Sequence, residues 1–506
     1  MKKLKYSIIS LVILLTSCSE FLEPQSQTEY VPRDINTLNE LLIGNAYIDP
    51  NAQNAYFFIY HEIMSDDVSI TSETTNHTNN QAKYSKAKPY FSWHPEMFNL
   101  GEENNYYFSV WKSHYDKILG CNAVLDYADK QSMKGTTTER SFVKGQALTL
   151  RAFYYLNLVN LFGEPYNYNK SALGVPLKLT SDMTYEGLKR STVEQVYAQI
   201  VNDLNTAENE FLKLPVEQQF NKEARITLPA IQLLKARVAL YMEDFDLCAT
   251  YSKKVIDNWG LKLLDLNDFV SVAAAPYYQF SSYNNPEALW LYGCSGDFTR
   301  MFTEILSLNP NSTSITRRMY NASPALVSSF TSSDLRLKNY VIKESTTINN
   351  YMPYGKIPVS VTYSTDFNFF GKALRVSEAY IMLAEAFYHQ NKASEAVAVL
   401  ETLRAKRFAK TSGNDYKVPT TSTSGEALFQ FIKEERRREM CFDGLRWFDL
   451  RRWGMESFSH VWKVEGVVEA VFTLEKNDPA FTLPIPFDAI EKNPYLEQNT
   501  LASPKY

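Results

Sequence analysis

Apolar residues recur at helical spacing along most of the chain from Asn104 onward. One apolar face runs through Phe142–Leu161 and stops at Gly163. Another begins after Thr192, a residue type that caps helix N-termini, and continues to about Phe211. Because three or four apolar residues per two turns form one buried stripe, this pattern predicts a mostly helical fold.

Two later segments of this helical pattern match each other. The first reads L-L-K-A-R-V-A-L-Y-M-E-D-F-D-L-C-A-T-Y and the second reads I-M-L-A-E-A-F-Y-H-Q-N-K-A-S-E-A-V-A-V-L. Ala236 and Cys248 in the first are spaced as Ala384 and Ala396 are in the second. Small residues at this spacing let two antiparallel helices cross closely, which resembles a tetratricopeptide repeat, although a generic helical hairpin would look similar. The pair predicts a scaffold of stacked helix pairs.

The helical pattern is interrupted between the two matching segments. From about residue 259 to 372, Asn, Ser, Thr, Tyr and Pro dominate, and only short strands such as Ala288–Tyr292 are indicated. A second irregular stretch spans residues 65–103. We interpret residues 259–372 as a loop-rich insertion carried on a helical scaffold of residues 36–258 and 373–506, not as a separate domain. Long loops on a rigid scaffold are where binding residues concentrate.

The N-terminus has the pattern of a secretory signal. Three lysines precede an apolar run from Tyr6 to Leu15, which ends in L-T-S-C at Cys18. About 10 apolar residues are too few to span a bilayer. The L-T-S-C ending resembles a bacterial lipobox, which implies removal of residues 1–17 and lipidation of Cys18; the alternative is an ordinary signal peptide with an incidental cysteine. Residues 18–35 are then a lipidated tether before one domain of residues 36–506.

Composition and charge narrow the class of protein. The chain is 45% hydrophobic with a formal charge of -5, typical of a globular protein with a large core. Removal of the signal with its lysines makes the charge -8, and a net acidic chain without a basic run argues against nucleic-acid binding. Four internal cysteines are far apart and form no C-x-x-C pair, so buried free thiols are expected instead of a disulfide or a zinc site. They are Cys121, Cys248, Cys294 and Cys441.

Catalytic motifs with suitable spacing are missing from the sequence. His61-Glu62 begins like the zinc motif H-E-x-x-H, but Ser65 stands where the second histidine must be. Gly293–Gly296 lacks the spacing of a nucleophile elbow. The neighbouring side chains of Asp66-Asp67 diverge and cannot flank one glycosidic bond. We therefore predict a protein that is not an enzyme and that has no cofactor and no metal.

Charged residues continue an apolar helical face near the C-terminus. The face defined by Leu428 and Ile432 continues through Glu435, Arg436 and Glu439. Buried charges must be paired, and the arginines of the next short helix are the expected partners, with aromatic residues covering them. The alternative is a solvated helix end. The expected partner and covering residues are Arg446, Arg451, Arg452, Trp447, Phe448 and Trp453.

This stretch resembles the C-terminal signature of the SusD/RagB family, roughly E-R-R-x-E-[aromatic]-x-F-E-G-x-R-x-x-D-L-x-R-W. Residues 435–453 depart from it at Met440-Cys441 and at Asp443. The tail Phe481–Asn499 is similar to the second recurrent stretch of the family. In that family the signature belongs to the scaffold and not to the ligand site. The signature residues are Glu435, Arg436, Glu439, Arg446, Trp447, Asp449, Arg451, Arg452 and Trp453.

The resemblance implies a function as well as a fold. Members of the family are lipoproteins of the outer membrane, exposed at the cell surface, that bind glycan nutrients. They deliver these nutrients to a TonB-dependent SusC-like transporter and act as its lid. The alternative is a tetratricopeptide-type interaction or assembly lipoprotein without a small ligand. Because one scaffold serves many ligands, the resemblance does not identify which glycan or peptide is bound.

Candidate ligand residues follow from composition and location alone. Saccharide recognition needs a flat aromatic face together with polar side chains that reach the sugar hydroxyls. Trp290 lies in a strand-like setting that favours the core. For Trp93, packing of the loop onto the scaffold is an alternative to ligand contact. The candidates are Tyr90, Phe91, Trp93, Asn79 and Asn80 in the irregular stretch of residues 65–103, and Tyr277, Tyr278 and Phe280 in the insertion.

Overall fold

We describe the protein from a computed structural model. The described residues are 32–50, 52, 62–71, 77–103, 110–183, 186–221, 225–271, 278, 280–294, 305–306, 317–343, 350–356 and 370–505. The lipidation candidate Cys18 and the ligand candidate Tyr277 lie outside these ranges.

Within the described ranges the chain forms 17 α-helices, which confirms the predicted mostly helical fold. In chain order they are α1 (Ile35–Asn45), α2 (His77–Phe91), α3 (Met97–Glu103), α4 (Val110–Ala128), α5 (Thr137–Phe162), α6 (Tyr166–Asn169), α7 (Val193–Phe211), α8 (Val216–Gln219), α9 (Leu228–Tyr241), α10 (Phe245–Asn258), α11 (Pro324–Ser328), α12 (Arg336–Asn339), α13 (Val376–His389), α14 (Ala393–Arg404), α15 (Gly425–Met440), α16 (Arg446–Arg452) and α17 (Phe487–Lys492).

Local signals account for the bounds of the long helices. Thr136 and Thr192 each cap a helix, and a side chain three residues later returns a hydrogen bond to the cap backbone. The helix α5 ends before Gly163, whose Cβ, if present, would lie 2.9 Å from the Val159 carbonyl oxygen. A larger residue there would clash, so glycine is required by close packing.

The helices pack in sequence-adjacent pairs, as the repeats predicted. α9 packs on α10, α10 on α13, and α13 on α14, while α4, α5 and α7 continue the stack. The four small residues of the repeats are completely buried where these helices cross, and the Cys248 thiol lies 3.8 Å from the Met382 carbonyl oxygen of α13. This is the tetratricopeptide-like scaffold that was predicted.

Strands are few and short in the described part of the chain. They form five two-stranded antiparallel sheets, which pair β1 with β5, β2 with β8, β3 with β4, β6 with β7, and β9 with β10. The bounds are β1 (Val68–Ile70), β2 (Ala288–Tyr292), β3 (Ile305–Leu306), β4 (Arg317–Arg318), β5 (Tyr320–Ala322), β6 (Ile342–Lys343), β7 (Tyr351–Met352), β8 (Lys372–Arg375), β9 (Phe458–Val464) and β10 (Val467–Leu474).

Strand β2 is buried along its whole length and joins the insertion to the scaffold. It has the predicted bounds, and its partner β8 leads directly into α13. The Thr227 hydroxyl at the start of α9 donates to the Leu289 carbonyl oxygen. The strand is therefore held between the second half of the scaffold and the N-terminal end of α9.

The four internal cysteines are buried and free, as predicted. Among the described residues, no helix combines the length and the apolar character needed to cross a membrane.

Candidate functional site

The signature forms two helices, α15 and α16, joined through Gly444 at a φ of +78°. Glycine adopts this left-handed conformation without a steric penalty. Glu435, Arg436 and Glu439 on α15 are completely buried, as the hydrophobic pattern predicted. The signature is therefore part of the protein interior.

The prediction that Glu435 and Glu439 pair with the arginines of α16 is wrong. Glu435 is bound by Arg336 (2.7 Å), Arg404 (2.6 Å) and Arg438 (2.9 Å). None of these three arginines lies on α16. They reach Glu435 from the insertion, from the end of α14 and from α15 itself. Burial alone would raise the pKa of Glu435, but the three arginines hold it well below its usual range.

Glu439 joins the scaffold to strand β2. Its carboxylate accepts hydrogen bonds from Arg407 (3.0 Å) and Arg375 (3.1 Å). The same two arginines bind Glu287, the residue before β2, at 2.6 and 3.3 Å. Tyr340 also donates to Glu439, at 2.9 Å. The signature therefore fixes the start of the strand through two shared guanidinium groups.

The signature arginines bind other acids or carbonyl oxygens. Arg436 contacts Asp449 at 2.7 Å, so α15 supplies the cation and α16 the anion, the reverse of the expected order. Arg452 forms a bidentate pair with Glu385 at 2.6 and 2.8 Å. Arg451 donates to two backbone carbonyl groups. These contacts give the signature a structural role.

Asp66 and Asp67 also belong to this interior. Arg446 donates to both carboxylate oxygens of Asp66, at 2.7 and 2.8 Å, and Arg437 binds Asp67 at 2.6 Å. The aspartates therefore hold the start of the segment of residues 65–103 against α15 and α16. This segment was predicted to be irregular, but the structure places α2 and α3 in it. Among the described residues, no group of three or more His, Cys, Asp and Glu side chains is placed to hold a metal ion.

The aromatic candidates near Trp93 lie inside the protein. Tyr90, Phe91 and Trp93 are completely buried, and Phe91 and Trp93 both stack on His460, at centroid distances of 4.2 and 4.3 Å. The Trp93 indole nitrogen donates to the Met64 carbonyl oxygen at 3.0 Å. A ring covered by protein cannot stack on a sugar, so the alternative that Trp93 packs the loop onto the scaffold describes this structure.

The remaining ligand candidates whose side chains the structure describes do not form one exposed surface either. Asn80 and Phe280 are buried, and Phe280 packs edge-on against Tyr340 at 4.6 Å. Tyr278 is half-buried and packs against Phe280. Asn79 lies in α2, but its side chain falls outside the described residues. Asn80, Tyr278 and Phe280 do not line the cleft described next.

An aromatic cleft of about 380 Å³ lies beside β2, within the size range of small-molecule sites. It is bounded by the segment from the end of α1 to residue 50, one residue of α5, the loop before α9, and the end of β2. We call it the aromatic cleft. Its lining residues are Ile43, Gly44, Tyr47, Ile48, Asp49, Pro50, Tyr154, Arg225, Trp290, Leu291, Tyr292, Gly293 and Phe370.

Two stacked rings form one wall of the aromatic cleft. Trp290 and Tyr292 alternate along β2 and therefore share a face. Their centroids are 4.8 Å apart and their planes differ by 27°. Phe153 packs edge-on against both rings, at 5.3 and 5.2 Å, which fixes their orientation. Trp290 is a core residue, as expected, but it also lines the cleft.

The opposite wall combines a fixed tyrosine with a cation. The Tyr47 hydroxyl donates to Gln146 at 2.6 Å and accepts the Ile226 backbone N–H at 3.0 Å. Burial raises the pKa of Tyr47, so the phenol stays neutral. The Arg225 guanidinium lies over this ring, 5.2 Å from its centroid.

Sequence reasoning missed Tyr47 and Arg225 as site residues because neither lies in a motif. The alternation of Trp290 and Tyr292 was a usable signal, since residues two apart in a strand share a face. That these two residues meet Tyr47, which follows α1, and Arg225, which precedes α9, depends on tertiary contacts that sequence spacing does not report.

A second, more open groove of about 360 Å³ has Trp111 and Tyr115 in its floor. Lys112 pairs with Asp116 at 2.5 Å, and Lys492 pairs with Asp488 at 3.4 Å. Four of the charged residues that line this groove are therefore already paired with one another. We choose the aromatic cleft as the candidate site because five aromatic side chains line it and because its cation, Arg225, has no ion-pair partner among the described residues.

Comparison with known proteins is consistent with the fold and the signature. Residues 20–240 match a family model described as "Starch-binding associating with outer membrane", and residues 360–506 match the model of the SusD family. The two models together cover well over half of the chain.

Individual relatives agree with these models. SusD-like protein P2 of Formosa agariphila is 24% identical over 389 residues, which cover 70% of this chain and 73% of that protein. A SusD superfamily structure from Bacteroides thetaiotaomicron has a TM-score of 0.68 at 22% identity, over 92% of this chain and 100% of that one. A SusD-like carbohydrate binding protein from Bacteroides vulgatus has a TM-score of 0.62 at 21% identity, over 92% and 97%. The chain belongs to the SusD/RagB family.

Proposed function

We propose that this protein is a lipid-anchored, surface-exposed protein of the outer membrane that binds a glycan nutrient in the aromatic cleft. It delivers the glycan to a TonB-dependent SusC-like transporter, over which it acts as a lid. Family membership supports the class of function, since one matching model is described as starch-binding and associated with the outer membrane. Members of the family are carbohydrate-binding proteins and not enzymes, which confirms that prediction.

The observation that carries the choice of site is the aromatic cleft itself. A sugar ring has a C–H face that packs against an aromatic ring and hydroxyl groups that need hydrogen-bond partners. The cleft supplies the exposed parts of two rigidly held rings, Trp290 and Tyr292, which are 3% and 8% exposed, and a donor at Arg225. Because these groups are held by the scaffold, little side-chain entropy is lost on binding.

Blocking the mouth of the cleft is the direct test of this site. Ile43 lines the cleft, is 42% exposed and lies in the last turn of α1. We expect Ile43→Trp to weaken glycan binding by about tenfold or more, because the added indole occupies the volume of the ligand. Isothermal titration calorimetry with oligosaccharides chosen from a glycan array measures the effect.

The control for this variant is Leu212→Trp, at a residue that is 56% exposed and does not line the cleft. Its affinity should equal that of the wild type, and both variants should melt as the wild type does. Unchanged affinity in Ile43→Trp would place the ligand elsewhere, the groove at Trp111 being the next candidate. Failure of every glycan to bind would favour the assembly protein without a small ligand.

The anchor and the transporter are tested together in membrane fractions. We expect the wild-type protein to stay with the outer membrane and, in mild detergent, to bring a large β-barrel protein with it. Cys18→Ala should be secreted but recovered in the soluble fraction, because without acyl chains no stable anchor remains. Full membrane retention of Cys18→Ala contradicts the lipobox, and recovery of the wild type alone contradicts the transporter complex. The division into residues 1–17, 18–35 and 36–506 is part of this proposal.

A further inference from the structure

Arg225 differs from the buried arginines of helices α5 and α9 because no acidic side chain of the described residues forms an ion pair with it. Arg151 binds Asp203 at 2.7 Å, and Arg237 binds Glu378 at 2.6 Å. Within the described part of the chain, Arg225 takes part in no ion pair, and its buried Nη1 atom has no hydrogen-bond partner. Arg225 as a whole is only partly buried, but a guanidinium nitrogen that is buried without a hydrogen-bond partner is costly, so a ligand that supplies an acceptor to this group gains affinity.

The position of Arg225 is fixed before any ligand binds. Its guanidinium lies over the ring of Tyr47, and both hydrogen-bonding positions of the Tyr47 hydroxyl are occupied by protein groups. A cation over an aromatic face is favourable and limits the rotamers of the side chain. The planar guanidinium group presents its donors as a fork that matches a carboxylate or a sulfate.

The other titratable groups that line the cleft do not neutralise Arg225. Burial raises the pKa of Tyr47, Tyr154 and Tyr292, so these phenols stay neutral. Asp49 is the remaining acid of the lining. Burial lowers the pKa of Lys117, and Asp49 is among the groups that oppose this shift, so the Asp49 carboxylate already has a cation nearby. The unbalanced charge of the cleft is therefore positive.

We propose that the aromatic cleft selects an acidic sugar, whose carboxylate or sulfate group is bound by Arg225. The sugar ring then lies in the cleft beside Arg225, where Trp290 and Tyr292 each expose only a small area. This inference rests on the proposed function, because it names the class of glycan that the same site takes. Arg225 is the residue that distinguishes acidic from neutral glycans.

The test is calorimetry at low ionic strength on the mature protein. The probes are an oligogalacturonate and a sulfated carrageenan oligosaccharide, with maltoheptaose and cellohexaose as neutral probes. We expect at least one acidic probe to bind tenfold or more tightly than either neutral probe, and its affinity to fall with added salt. The preferred acidic probe distinguishes the carboxylate from the sulfate.

Two substitutions of Arg225 separate the effect of its charge on binding from any effect on folding. Arg225→Met should reduce affinity for the acidic probe by about tenfold or more, whereas Arg225→Lys should keep part of it because the charge remains. Thermal melts should show both variants folded. Preferential binding of a neutral probe, or an acidic probe bound equally by Arg225→Met, overturns the selection of acidic sugars but leaves glycan binding intact. Failure of all four probes to bind overturns both this inference and the proposed glycan site.

Discussion

Glu439→Ala is expected to reduce the free energy of unfolding by about 3–5 kcal/mol, the range for loss of one partner of a buried ion pair. Its carboxylate is completely buried and binds Arg336, Arg375 and Arg407. Burial alone would raise the pKa of Glu439, but Arg407 and Arg375 hold it well below its usual range. Without the carboxylate, buried guanidinium groups that it binds lose their shared anion.

Urea unfolding followed by tryptophan fluorescence measures this loss, and Glu434→Ala is the matched control. Glu434 lies on the same helix, its side chain is 63% exposed, and it contacts Arg438 at 3.7 Å. Its replacement should change stability by no more than about 0.5 kcal/mol, as surface substitutions usually do. Equal effects of the two substitutions would contradict the structural role of Glu439.

The same variant is expected to affect the aromatic cleft indirectly. Arg375 and Arg407 bind both Glu439 and Glu287, and Glu287 precedes the strand that carries Trp290. The signature thus stabilises one wall of the candidate site without touching a ligand. This contact explains how a scaffold element contributes to binding.

Acid is expected to destabilise the protein between about pH 5 and pH 2. Burial alone would raise the pKa of Glu385, but Arg452 lowers it to about 2 from an ordinary value of 4.5. Because the folded-state pKa lies below the unfolded-state value, ionised Glu385 contributes its full stability above about pH 5 and loses it as the pH falls toward 2. The size of this contribution is about 3 kcal/mol. Asp66, whose pKa is also lowered to about 2, acts in the same direction.

Two buried acids act in the opposite direction. Burial raises the pKa of Glu62 and Asp67, so their protonation favours the folded state as the pH falls and offsets part of the loss. Glu385→Gln separates the contributions in urea unfolding at pH 7, 5, 4 and 3. The difference in stability between wild type and this variant should narrow as the pH falls. A difference that does not change with pH would show that Glu385 does not titrate as described.

The amino-acid sequence by itself determined the helices of the scaffold from Asn104 onward and the interior position of the signature, whereas α2 and α3 lie in a stretch that was predicted to be irregular. Helix bounds follow from patterns within a few residues, such as the cap at Thr192 and the close approach at Gly163. The burial of Glu435 and Glu439 could also be predicted from the sequence, because these residues continue an apolar face at helical spacing.

Only the tertiary structure decided which distant groups meet. The partners of Glu439 come from the insertion and from beyond α14, and Trp93 is covered by a hairpin that follows the signature. Tyr47, Arg225 and Trp290 form one cleft although long stretches of chain separate them. Periodicity reports which side of an element is buried, but it carries no information about the element packed against that side. For that physical reason the scaffold could be predicted from the sequence, whereas the candidate site could not.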